Sequence, residues 1–149
     1  MILALFVAGF LPACDADEDI GAGEDARAFE DGVSADTAGG AFRVVLLSRE
    51  GLDVGDNTLI ARVGFHDPGD PEGPGTGIPG ALVHLDAYMP NGAGHIEGIE
   101  AIYLDDGRYR LSGIELDEPG VWRFELGIEL GATMDESVGF SFEIADASS

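Results

Sequence analysis

The segment Met89-Pro90-Asn91-Gly92-Ala93-Gly94-His95 sets a thioether and an imidazole at the two ends of a glycine-rich stretch. Copper(I) favours soft and borderline ligands of these two kinds, converging from two or three directions. Met134 and His84 are the candidates for a third ligand. Alternation argues for a plainer role, because Met89 shares the parity of Val83 and Leu85, the parity of a core side chain at a strand's end. His95 belongs to no apolar row and is free for a ligand or an interaction, whereas His66 and His84 take the faces opposite the core, as surface histidines do.

Cys14 is the only cysteine, so it forms neither an internal disulfide nor a thiolate cluster. Its position gives it another use. Residues 1–11 are almost wholly apolar, too short for the ~20 residues of a spanning helix but suited to the apolar region of a signal peptide. They end in Leu11-Pro12-Ala13-Cys14, which resembles the lipobox of bacterial lipoproteins. The resemblance implies a signal peptide over 1–13, lipidation of Cys14, and a mature chain anchored outside the cytoplasm, in the periplasm or at the cell surface.

No catalytic constellation stands out. Ser112, Ser137 and Ser141 lack the strand-turn-helix context of an activated nucleophile, and no carboxylate pair is distinguishable from the acidic background. That background is extreme: 29 Asp and Glu face 7 cations, all arginine, for a formal net charge of −22. Phosphate backbones repel such a chain, which excludes nucleic acid as a partner.

Within 14–40 the acids Asp15, Asp17, Glu18, Asp19, Glu24, Asp25, Glu30, Asp31 and Asp36 stand among Ala and Gly, with Ile20, Phe29 and Val33 the only large apolar residues. So little apolar surface does not offset the entropy of ordering, and the segment reads as a disordered acidic tether.

The elements that must position any site lie in 41–146, where the period changes to two. Leu59, Ala61, Val63 and Phe65 share one face of 57–66; Val83, Leu85, Ala87 and Met89 share one face of 81–89. Trp122, Phe124, Leu126, Ile128 and Leu130 alternate with polar residues over 120–130, as Val138, Phe140, Phe142 and Ile144 do over 138–144. Segments 42–47, 99–104 and 108–112 complete a set of about seven antiparallel strands, which predicts an all-β, immunoglobulin-like sandwich. Asp105-Asp106-Gly107 reads as a hairpin turn. The Pro- and Gly-rich run from Asp67 to Gly77 reads as a long, unstructured surface loop.

Gly55-x-Asn57, Gly77-Ile78-Pro79-Gly80-Ala81-Leu82-Val83-His84-Leu85, Met89-Pro90 with Gly92 and His95, Gly107-x-Tyr109 and Pro119-Gly120-x-Trp122 follow one another in an order that resembles the YtkA-like family and, more distantly, its FixH-like relatives. The resemblance spans about residues 42–145. It implies an exported, membrane-tethered sandwich without catalytic activity, with relatives near copper handling and respiratory-oxidase assembly. Where many relatives carry Met-Pro-x-His-x-His, this chain keeps only His95. The reading is therefore a non-catalytic binding or structural module at a membrane surface, without a cofactor, held there by its lipid and meeting a protein partner of unknown identity. The alternative is a copper-handling accessory protein using Met89 and His95.

Overall fold

Alternating apolar residues bury one side of each strand, and two such sheets bury those sides against each other. The computed structural model describes residues 26–70, 73–132 and 134–146. Among the described residues nine strands run in order: β1 (Val33–Asp36), β2 (Phe42–Leu47), β3 (Gly55–Phe65), β4 (Leu82–Tyr88), β5 (His95–Glu100), β6 (Ile102–Tyr103), β7 (Arg108–Leu116), β8 (Gly120–Leu130) and β9 (Met134–Ile144). They form two antiparallel sheets, β1-β2-β3-β7-β6 and β5-β4-β8-β9. The architecture is the all-β sandwich that the alternation predicts.

The inward rows match the expected parity. Trp122, Phe124, Leu126 and Ile128 are buried opposite Val83, Leu85 and Ala87 of β4 on one side and Val138, Phe140 and Phe142 of β9 on the other. Leu59, Ala61 and Val63 bring the second sheet onto them. Phe65 keeps the parity but lies at the rim, where its ring tilts against Phe42 and remains 45% exposed.

Three stretches depart from simple alternation, two of them through a bulge. On β7, Leu111 and Ile114 both face the core, which strict alternation forbids; Gly113 at φ 74 supplies the extra residue opposite β3 that switches the parity. The expected strand over 108–112 consequently runs on to Leu116. On β5, Gly98 at φ 71 does the same between Ile96 and Ile99, and its N–H donates to Asp86 Oδ1 at 2.7 Å. The expected strand over 99–104 is split: the chain leaves the four-stranded sheet after Glu100 and joins the other at Ile102, with the Ala101 N–H bonded to the Val83 carbonyl between them. That crossing closes one flank of the sandwich.

The other flank is closed from the N-terminal side, which corrects the expectation of a disordered tether up to residue 40. β1 pairs along β2, the Glu143 N–H donates to the Arg27 carbonyl, and the Ala38 N–H donates to the Ser137 carbonyl. Residues on either side of β1 thus cover the outer edge of β9. Phe29 meets Phe142 edge-on at 5.3 Å, and Val33 and Ala35 pack against the core. Few apolar residues suffice because they land on a seam the sandwich would otherwise leave open. The part of the tether before residue 26, and the apolar leader with Cys14, lie outside the described residues.

The loop after β3 is also more ordered than its composition suggests. Arg62 Nη1 and Nη2 donate to the carbonyls of Pro74 and Gly75, Phe65 N–H to Thr76, and Ile78 N–H to Val63. The half nearest β4 is therefore tied down, and Ile78 is buried. The hairpin turn stands as expected, with Asp106 at φ 50, Gly107 at φ 76 and the Arg108 N–H on the Asp105 carbonyl.

Candidate interaction surface

Directly paired residues of antiparallel strands project from the same face of a sheet. His95 pairs with Tyr88, so both project outward from the four-stranded sheet. Met89, the next residue, turns the other way: it packs against the core at the end of β4, its side chain against Gly92, Gly94 and Gly120 beside the Trp122 ring. The turn is held by the Met89 N–H on the Gly94 carbonyl and the Gly92 N–H on the Met89 carbonyl. Met89 and His95 therefore leave opposite faces of the hairpin. His95 Nε2 lies 3.5 Å from Glu97 Oε2 in an exposed pair.

The two candidate third ligands sit elsewhere. Met134 opens β9 opposite Leu130, at the far end of β8 from Gly120, roughly 34 Å from it at about 3.4 Å per residue. His84 lies flat over Gly127 on the outer face. Among the described residues no three of His, Cys, Asp and Glu come together in a way that could hold a metal ion. His66 leans on the edge of the five-stranded sheet, with Nδ1 3.2 Å from Asp36 Oδ1 in a geometry that does not make a hydrogen bond.

What the fold does gather is charge. On the outer face of the four-stranded sheet, Asp86, Glu100, Glu125, Glu129, Asp135 and Glu143 share parity with a single arginine, Arg123, which is bonded to Glu125 and Ser141. On the outer face of the five-stranded sheet stand Arg43, Arg62, Arg108 and Arg110, four of the chain's seven cations, with Asp36, Asp56 and Glu115. Three of these have carboxylate partners: Arg43 pairs with Asp36 at 2.9 Å, Arg62 with Asp106 at 3.7 Å, and Arg108 with Asp105. The hydrogen bond to Asp105 and then its charge hold the Arg108 guanidinium protonated above its ordinary value.

Apolar residues interleave with these cations. One row across the sheet reads Leu47, Ile60, Arg110, Ile102, from β2 through β3 and β7 to β6. At its edge, Ile102, Tyr103 and Leu104 are 58%, 41% and 37% exposed in succession. Sequence reasoning missed this surface because its residues come from four strands and look unremarkable within each. The run Ala101-Ile102-Tyr103-Leu104 did carry a signal, an apolar stretch without alternation.

No protein-family model matches the chain, and no curated protein matches it.

Proposed function

We propose that this chain is a non-catalytic, exported lipoprotein, held at a membrane through Cys14, whose sandwich is a binding module for a protein partner. The observation that carries the binding role is the exposed succession Ile102-Tyr103-Leu104, on the edge strand β6 and the residue that follows it. A short edge strand offers unpaired backbone groups, and consecutive exposed apolar side chains beside them mark a surface meant to be covered. The lipobox-like Leu11-Pro12-Ala13-Cys14 and the YtkA-like order of motifs support export and membrane display. Residues 27–38 pair with β2 and β9, so the sandwich begins within the acidic stretch.

One experiment addresses both halves of the reading. The full chain is produced in bacteria with a photo-crosslinking amino acid at position 103 and with or without Cys14→Ser. The expected result is a discrete protein adduct in the membrane fraction, with Cys14 carrying lipid by mass spectrometry and the Ser variant released to the soluble fraction. An unmodified Cys14 in the mature chain would sink the lipoprotein assignment, and absence of any adduct would sink the binding module.

A further inference from the structure

We infer that the outer face of the five-stranded sheet docks an extended acidic segment of that protein partner, with Arg49 and Arg110 as its carboxylate anchors. The inference rests on the binding-module reading and assigns it a site and a ligand chemistry. Two features of the surface carry it.

The first is the state of the arginines. With 29 carboxylates for 7 guanidinium groups, every cation could have been neutralised internally. Arg43, Arg62, Arg108 and Arg123 are. Among the described residues Arg27, Arg49 and Arg110 have no carboxylate within ion-pair distance; Arg27 lies along β9, and the other two belong to this face. Arg110 stands between Ile60 and Ile102, and Arg49, in the bend after β2, lines one trough with Leu47 and Ile60.

The second is shape. Arg49 and Arg108 wall a trough of about 310 Å³ floored by Leu47 and Ile60. It shares Leu47, Arg49 and Ile60 with a larger recess of about 630 Å³, whose far side carries Glu50, Asp53 and Asp56 and so confines an acidic ligand to the smaller trough and the row beyond it. Among the described residues one carboxylate lines the smaller trough, Asp31, whose Oδ1 accepts the Ser48 N–H at 2.9 Å. From Leu47 to Ile102 the row spans three strand spacings, roughly 14 Å, the length of about four extended residues. A chain lying along it sets apolar side chains on Leu47, Ile60 and Ile102 and carboxylates on guanidinium groups that bind them with two parallel hydrogen bonds.

The net charge of −22 does not forbid this. The acidic outer face of the other sheet lies beyond the ~10 Å between packed sheets, so at physiological salt, where the screening length is about 8 Å, it barely acts on an anion in the trough. A flat anionic bilayer fits less well, since it would meet Glu50, Asp105 and Asp106 together with the arginines. A second copy is disfavoured by repulsion between two chains of this charge.

The test uses the isotope-labelled full chain and an end-capped octapeptide, Glu-Ser-Leu-Ser repeated twice, followed by NMR. The expected result is saturable shifts confined to the neighbourhood of Leu47, Arg49, Ile60, Ile102 and Arg110, weakened by added salt. The double variant Arg49→Gln/Arg110→Gln, with an unchanged melting temperature, should bind at least about tenfold more weakly. The inference is overturned by absence of saturable shifts, by equal binding of a Lys-for-Glu peptide, or by unaltered affinity in the double variant. It is likewise overturned if only anionic vesicles bind, or if the same shifts follow protein concentration without peptide, which would assign the face to a bilayer or a second copy. An adduct at position 103 that persists while peptide binding fails removes this inference alone; loss of that adduct in the otherwise native chain removes the binding module itself.

Discussion

Tyr109 donates its phenol proton to the carbonyl of Ile78 at 2.6 Å and accepts the N–H of Ala81 at 3.0 Å, joining β7 to the segment that leads into β4. Gly107-x-Tyr109 suggests a corner-like contact with nearby backbone, and the partner proves to be backbone far upstream in the chain. Replacing Tyr109 with Phe keeps the ring and strands a buried carbonyl. The expected loss is about 1–2 kcal/mol, read from urea denaturation as a lower midpoint with an unchanged slope. A stability within error of the parent would show that water satisfies Ile78.

The same phenol sets an alkaline limit. Burial pushes its ionisation above the ordinary 10.0, an effect partly offset by the Ala81 N–H and reinforced by neighbouring Tyr103. The folded chain therefore keeps a proton that the unfolded chain gives up. Stability from this source is complete below pH 10.0 and is lost as pH rises through the folded value. Chemical denaturation above pH 10 should show a steeper decline in the parent than in Tyr109→Phe; equal slopes would contradict the assignment.

Asn57 holds the entry to β3. The two N–H bonds of its Nδ2 are shared among the carbonyls of Asp53, Gly55 and Ile114, and its Oδ1 accepts from the Asp53 N–H. Asn57→Ala should cost about 1–3 kcal/mol through the buried acceptors it leaves. Asn57→Asp should be no better, because a carboxylate cannot donate to three carbonyls. Thermal melts of both variants test this, and an Asp variant as stable as the parent would be the contrary outcome.

Gly94 is buried under Trp122, where a Cβ would overlap the indole ring and touch Met89. Gly94→Ala is expected to destabilise by about 1–3 kcal/mol through overpacking and to shift the tryptophan emission. An unchanged spectrum and midpoint would mean that the Met89–Gly94 turn adjusts freely.

That turn also decides the copper alternative. With Met89 inward and His95 outward, a copper(I) competition titration of the full chain should give the same result for the parent, Met89→Leu and His95→Ala. Tight one-to-one binding that vanishes in both variants would falsify the opposed arrangement and promote the metal-handling reading.

How much of this was legible beforehand follows from what alternation encodes. A strand's period of two names its inward row without knowledge of its neighbours, so alternation alone places Trp122, Phe124, Leu126 and Ile128, and the row Val138 to Ile144, in the core, where they are buried. The absence of helical periodicity and the tight-turn residues at 105–107 pointed to the sandwich for the same local reason.

The tertiary structure decided what depends on partners distant in the chain. Gly98 and Gly113 reverse the inward parity only because a facing strand accepts the extra residue. Residues 26–40 look unable to order alone, yet Phe29, Val33 and Ala35 order where β2 and β9 leave a seam. The face carrying Arg110, Ile60, Leu47 and Ile102 exists in no single segment; cross-strand register creates it. Overall charge is a property of composition and could be counted from sequence. Its division into a face rich in arginine and a face rich in carboxylates is a property of pairing, and only the folded sheet brings those side chains within a few ångströms of one another.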